Sequence, residues 1–278
     1  GPEGFGKYST ALAFFAFFAA VADLGLGTVT AREISREGAR ESFILGNVVA
    51  LRLLASFSVV VFSPALILLF HYPSELKTGI FIASCAILFS SLSSVLNGIF
   101  QKHLSMDKVA LVELGGKLAQ VGMVVAVIRY DLGFLPMVAT LIVSLSFNAI
   151  LSFWLSRRYV RFRLRVDPAF WREFLKESLP LGATAIITFA YFKMDTILLS
   201  IWQSSADVGI YNVAYKIMEN LIFFPAMLAG LILPLLSRYL FSDRRQFEII
   251  AQKTFKVFFI IVVPLVVGTW VLAGDIVR

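Results

Sequence analysis

Eight stretches of this sequence run for eighteen or more residues with few charges: 8–28, 46–70, 79–100, 109–128, 132–156, 178–201, 208–236 and 257–274. A helix rises about 1.5 Å per residue, so about 20 residues cross the roughly 30 Å hydrocarbon core of a bilayer. In that solvent a chain must satisfy its own backbone hydrogen bonds, and continuous apolar runs of this length do so as helices. The pattern predicts an all-α, polytopic membrane protein of about eight spans. Composition agrees, with 59% hydrophobic and 15% charged residues, 27 Phe and a mean hydropathy of +0.84. A typical water-soluble domain carries about a quarter charged residues. The connections are short, so no soluble catalytic domain fits between the spans.

The formal net charge of +7 and the run SRRYVRFRLR would suit nucleic acid if the charge were spread over one soluble face. Its distribution follows the spans instead. Alternate loops, at 29–45, 101–108, 157–177 and 237–256, hold 17 Lys and Arg residues. The opposite side holds Lys7, Lys77, Arg129 and Arg278. This is the asymmetry of the positive-inside rule, which puts the basic loops in the cytoplasm and discounts nucleic acid. Cys85 is the single cysteine and lies inside a span, which excludes an internal disulfide. His71 and His103 fall in loops on opposite sides, too far apart to share a metal. The opening GPEGFGKYS reads as a native loop leading into a span, and the closing WVLAGDIVR stops as a span ends. The sequence therefore reads as a piece of a longer chain.

A repeat organises the rest. Gly6-Lys7-Tyr8-Ser9-Thr10-Ala11 matches Gly209-Ile210-Tyr211-Asn212-Val213-Ala214 as G-x-Y-[SN]-x-A, and the same offset carries Gly27 onto Gly230. Six crossings separate the copies, so they point the same way, as in parallel transporter repeats. Between the halves the chain turns basic, and then Asp167 and Pro168 have the pattern of an N-cap followed by proline at the first helical position. Phe170, Trp171, Phe174 and Leu175 alternate there with Arg172, Glu173 and Lys176, which predicts a short interfacial helix. The expected division is 1–156 as an N-lobe, 157–177 as a basic cytoplasmic linker and 178–278 as an incomplete C-lobe.

Eight charged residues lie inside the spans: Arg52, Lys117, Lys193 and Lys216 against Asp23, Glu113, Asp195 and Glu219. An ionised group in hydrocarbon costs at least about 2.5–3.5 kcal/mol, so such residues face a bundle interior or water. Helical spacing puts Asn212, Lys216 and Glu219 on one stripe, and Thr184, Thr188, Tyr191 and Asp195 on another. Glu113, Lys117 and Gln120 make a third, with Glu113 and Lys117 in the favourable order for an i,i+4 pair. Thr140, Ser144 and Asn148 make a milder fourth. Such stripes can enclose a hydrated cavity. Competing readings stand beside this one. Arg52, two turns from a span end, can snorkel; Asp23 can pair with loop arginines; Glu113–Lys117 and Lys216–Glu219 can be neutral staples between helices. Lys117 and Lys216 lie about 13 Å from the nearer end, where snorkelling is strained.

Several motifs together resemble the polysaccharide flippases of the multidrug/oligosaccharidyl-lipid/polysaccharide exporter superfamily. They are DTILLS (195–200), SADVGIYNVAYKI (205–217), PLLSR (234–238), GFGKYS (4–9), ADLGLGT (22–28) and the following Arg32-Glu33. The resemblance implies a MATE-like fold of two pseudo-symmetric lobes around a central cavity, with helices two to six of the first lobe and about three of the second present. It implies a non-enzymatic carrier, without cofactor or metal, that moves polyprenyl-linked glycans across the cell membrane by rocking of the lobes. Lys216, Lys117, Lys193 and Arg52 are then the candidates for meeting substrate phosphates. Asn212, Tyr215, Gln120 and Asn148 are candidates for the sugar hydroxyls. Asp195, Glu219, Glu113 and Asp23 are candidates for balancing charge or coupling a proton or sodium ion. Pro180, Pro225, Pro234 and Gly230 are candidate bending points. Membrane lipids, a polysaccharide polymerase and assembly proteins are the further partners implied. A multidrug/cation antiporter or lipid II flippase of the same superfamily would share the architecture. A membrane glycosyltransferase or ligase would need a catalytic carboxylate or histidine in a sizeable outer loop, and the outer loops here are short.

Overall fold

The structure, a computed structural model, describes the backbone of residues 1–240 and 243–277. Side chains are described through residue 222 and then at 232, 236, 239, 243–271 and 274. Among the described residues there are ten helices and no strand. They are α1 (Pro2–Asp23), α2 (Leu26–Ile34), α3 (Glu41–Leu68), α4 (Ser74–Cys85), α5 (Ile87–Lys102), α6 (Met106–Arg129), α7 (Phe134–Ser156), α8 (Pro168–Trp202), α9 (Ser205–Leu240) and α10 (Arg244–Val277). Seven described segments are long and apolar enough to span: α1, α3, α4 with α5, α6, α7, α8 and Arg244–Val271 of α10. The predicted stretch 208–236 falls in α9 and runs into side chains outside those described.

By packing, the chain divides after Val208. In the first unit one core joins Phe14, Phe18 and Ala22 of α1 to Ile80 and Ala83 of α4 and to Val138 and Leu141 of α7. A second joins Leu26 and Val29 of α2 to Leu45, Val48 and Val49 of α3, Val95, Leu96 and Ile99 of α5, and Phe174 of α8. Lipid tails are as apolar as these side chains, so close packing and interhelical hydrogen bonds supply the association. Ser56 of α3 meets Ser91 of α5 at 2.5 Å, and Ser63 meets Ser84 of α4 at 3.0 Å. Small residues admit neighbours: a Cβ on Gly115 would lie 2.6 Å from the Phe147 ring. The outer face of α6, with Leu111, Leu114, Leu118, Val121, Val125 and Ile128 all exposed, is suited to acyl chains.

The predicted span 8–28 is not one helix. Leu24 and Gly25 are both left-handed, at φ 48° and 73°, and end α1. Asp23 Oδ2 accepts a hydrogen bond from the Gly25 amide at 3.2 Å, and α2 starts as a separate helix at Leu26. Gly25 sits against the backbone of Ser178 and Gly182 on α8, where a side chain would have no room. This close approach brings α8 into the first unit. By packing, the 157–177 linker and α8 thus belong with α1–α7 in the first unit.

The linker itself differs from expectation in one respect. Asp167 caps α8 as predicted, its Oδ1 accepting from the Ala169 and Phe170 amides at 3.0 and 3.1 Å, with Pro168 next. No separate interfacial helix follows, because Pro168–Trp202 is continuous and Pro180 lies inside it. Phe170 packs edge-on to Phe43 of α3, Phe174 is buried, and Trp171 Nε1 donates to the Asn47 carbonyl at 3.1 Å. The amphipathic face that pointed to a membrane surface is satisfied by a neighbouring helix.

Three basic loops meet at one end of this unit. Arg32 pairs with Glu177 and Lys102 with Glu41, while the Tyr159 hydroxyl donates to Ser105 at 2.9 Å. At the opposite end Lys7 pairs with Glu75 at 3.0 Å, and Tyr72 and Ser200 share a hydrogen bond of 2.7 Å. Burial pushes the Tyr72 hydroxyl up, against the smaller pull of Ser200. At the basic end the Arg165 amide donates to the Gly46 carbonyl at 3.2 Å, and the Arg163 carbonyl lies where a Gly46 Cβ would stand. Gly46→Ala is therefore expected to cost about 1–3 kcal/mol and to lift the 157–167 segment off α3. Faster trypsin cleavage at its arginines, measured against wild type, checks this.

In the second unit, residues 209–222 continue α9, with the Tyr211 and Tyr215 rings stacked 6.0 Å apart. In α10, Pro264 lies inside the helix, and Phe255, Ile260 and Val266 are exposed. Gly6 and Gly209 are each the fifth residue of their helices, α1 and α9. The repeat thus keeps its helical register.

Candidate functional site

The break after Asp23 sets up the site. A carboxylate at a helix C-terminus faces the negative end of the helix dipole and needs a cation. Arg52, from the middle of α3, supplies it, with Nη2 donating to Asp23 Oδ1. Arg52 is only 5% exposed, and its Nε and Nη1 find no acceptor among the described residues. A buried arginine normally satisfies its donors, so two idle nitrogens, carrying three N–H groups, are unusual in an apolar bundle.

A cavity of about 450 Å³ is lined by Asp23, Gly27 and Thr28 from the α1–α2 corner and by Ser94, Asn97 and Gln101 of α5. Gly27 keeps it open beside the arginine: a Cβ there would lie 3.3 Å from Arg52 Nη1 and 3.5 Å from both Asp23 Oδ1 and Ser94 Oγ. Asn97 Oδ1 is buried and also lacks a partner among the described residues. The lining offers the hydroxyls of Thr28 and Ser94 and the amides of Asn97 and Gln101, with the Asp23–Arg52 pair behind the Gly27 wall, which suits a hydroxylated group.

Of the residues singled out by sequence, the structure brings several together. Asp23 meets Arg52, and Lys216 Nζ meets Glu219 Oε2 at 2.8 Å within α9, side chains 62% and 37% exposed. The Lys216 carbonyl accepts from Asn220 Nδ2 at 2.8 Å. Asn212 is buried, and Tyr215 stacks on Tyr211. On α6 the i,i+4 pair allowed by spacing is not made among the described residues. Lys117 Nζ reaches Gln120 Oε1 at 3.4 Å, and Glu113 is exposed. Asn148 of α7 packs its amide against Gly116 of α6, its Oδ1 buried and without a partner among the described residues. Lys193 and Asp195 are half-buried on α8, where Asp195 Oδ1 accepts from the Thr196 amide at 2.7 Å. Thr184 and Thr188 bond back to the carbonyls of Pro180 and Thr184, so their stripe is partly self-satisfied. Of the bending candidates, Pro180 lies inside α8 without ending it, while Pro225, Gly230 and Pro234 lie outside the described side chains.

Sequence reasoning missed the α5 wall. Ser94, Asn97 and Gln101 recur at i, i+3 and i+7, the same polar-stripe signal used for other helices. Counting stripes on every span would have found it.

The geometry belongs to a multi-pass helical membrane protein with the fold of the MATE exporters. The chain superposes on an inward-facing conformation of a multidrug resistance MATE family transporter of the MOP superfamily. The TM-score is 0.74 at 20% identity, over 99% of this chain and 68% of that one. No curated protein matches the sequence significantly. Residues 1–271 match the family described as "Polysaccharide biosynthesis protein", and the chain belongs to that family.

Proposed function

We propose that this protein carries polyprenyl-(di)phosphate-linked oligosaccharides or polysaccharide repeat units across the cytoplasmic membrane by alternating access. The observation that carries this reading is a polar cavity within the apolar bundle, lined by Asp23, Thr28, Ser94, Asn97 and Gln101, with Arg52 buried behind it and paired with Asp23. A phosphate-linked sugar head cannot enter hydrocarbon, whereas a polyisoprenoid tail can stay in it, so a carrier needs a polar recess in an apolar bundle. The family membership favours a glycan over a drug as cargo.

In this scheme the basic loops face the cytoplasm and substrate enters from that side, past Arg52. Lys117, Lys193 and Lys216 meet the phosphates as flexible point charges that bind transiently. Asn212, Tyr215, Gln120 and Asn148 bond sugar hydroxyls. Asp195, Glu219, Glu113 and Asp23 balance the cations or carry a coupling proton or sodium ion. The 1–156 and 178–278 halves act as the two rocking lobes, and a polymerase takes the product on the far side.

Deleting the gene is expected to leave the lipid-linked glycan on the cytoplasmic leaflet, where it resists enzymes added from outside. Supplying the full-length protein again should restore its exposure. If the intermediate reaches the outer leaflet normally without the protein, the proposal fails.

A further inference from the structure

A second cavity, of about 480 Å³, lies at the basic end away from Arg52. It is lined by Ser42 of α3, Phe153 and Arg157 at the end of α7, and Arg161, Arg163 and Arg165 of the segment before α8. Val160 and Phe162 of the same segment complete the wall between the arginines. The stretch is pinned rather than loose. Its Arg165 amide bonds the Gly46 carbonyl, its Asp167 amide donates to Asn47 Oδ1 at 2.9 Å, and Phe162 packs on the second core.

The charges around this cavity are unbalanced. Among the described residues, none of Arg157, Arg161, Arg163 and Arg165 forms an ion pair, whereas Arg32, Arg36, Lys102 and Lys108 at the same end all do. Two of the four are held by aromatic faces: Arg157 lies 5.5 Å from the Phe153 ring centre and Arg165 5.7 Å from that of Phe43. Stacking leaves the guanidinium edge free for bidentate bonds to phosphate oxygens and fixes its direction in advance. Four like charges gathered on a fixed backbone repel one another, and an anion relieves that cost.

The neighbouring surface indicates what the anion is attached to. Phe147, Ile150 and Trp154 recur at i, i+3 and i+7 along α7 and are 39%, 68% and 57% exposed, next to Phe153 of the cavity wall. Because α7 spans the bilayer, this apolar stripe runs from the cavity into the acyl region. We propose that the cavity binds an anionic phospholipid of the surrounding leaflet, its phosphate among the arginines and its chains along α7. Four arginines exceed the charge of one phosphodiester, so a lipid carrying two phosphates binds more tightly than one carrying a single phosphate.

The test uses the full-length protein in detergent, titrated with cardiolipin, phosphatidylglycerol or phosphatidylcholine, with bound lipid counted by native mass spectrometry. Cardiolipin is expected to bind best and phosphatidylcholine least. R161Q/R163Q/R165Q alters exposed side chains and should weaken cardiolipin by about a hundredfold, at about fivefold per arginine. K77Q, at the opposite end, should leave it unchanged. Circular dichroism and elution volume confirm that each variant is folded. Equal binding of cardiolipin and phosphatidylcholine, or undiminished cardiolipin binding by the triple variant, overturns the proposal. Soluble pyrophosphate competing as well as cardiolipin would make this a free-phosphate site and overturn the lipid assignment. A polyprenyl diphosphate that outcompetes cardiolipin in wild type and loses that advantage in the triple variant would make it a cargo entrance, with the same consequence. The readout is lipid binding, so a failure of the transport proposal leaves it independent.

Discussion

Replacing Arg52 by Met in the full-length protein is expected to lower its amount in the membrane sharply and, on the proposed function, abolish glycan export. Arg52→Met leaves the half-buried Asp23 at a helix C-terminus without its cation, at a cost below the roughly 3–5 kcal/mol of breaking a fully buried pair. The double variant D23N/R52M separates structure from function, since it removes both charges and leaves side chains of similar length. Protein level, followed by immunoblot, should recover toward wild type. Export should not, because the cavity then lacks the Asp23 carboxylate on its wall and the cation behind it. Wild-type export by the double variant would reduce the pair to a staple between α1 and α3.

The second large effect is expected at the crossing of the α1–α2 corner with α8. A Cβ on Gly182 would lie 2.6 Å from the carbonyl carbon and 2.9 Å from the Cα of Leu24. These are backbone atoms, held in a left-handed corner that Asp23 ties to the Gly25 amide. Gly182→Val must push α8 away, at about 1–3 kcal/mol or more for an overpacked contact. Gly25→Val adds about 1–2 kcal/mol for a branched side chain at positive φ. Both should lower the thermal unfolding midpoint in detergent, whereas Gly122→Ala, with open space around its Cα, should leave it within a degree or two. A wild-type midpoint for Gly182→Val would refute the close approach.

Some features follow from the chain without a partner helix. The N-cap at Asp167 needs only its own side chain and the next amides, which are two and three residues away. The register shared by Gly6 and Gly209 is likewise local. Other readings went astray where the deciding contact is distant. The face of Phe170, Trp171 and Phe174 has the same periodicity whether it meets headgroups or α3. The Glu113–Lys117 spacing permits an ion pair, and Lys117 turns to Gln120 instead.

The sequence by itself determined the solvent, and through it the architecture: apolar runs of bilayer length can bury their backbone polar groups only as helices, so an all-α membrane fold was readable from composition and spacing. Only the tertiary structure decided which polar groups meet. Asp23 and Arg52 are 29 residues apart on different helices, and their pairing depends on where α1 breaks. That break comes from two left-handed residues seated against Gly182, a contact that no periodicity encodes. Side-chain type sets what each group can bond, and the packing of backbones sets whether a partner is within reach.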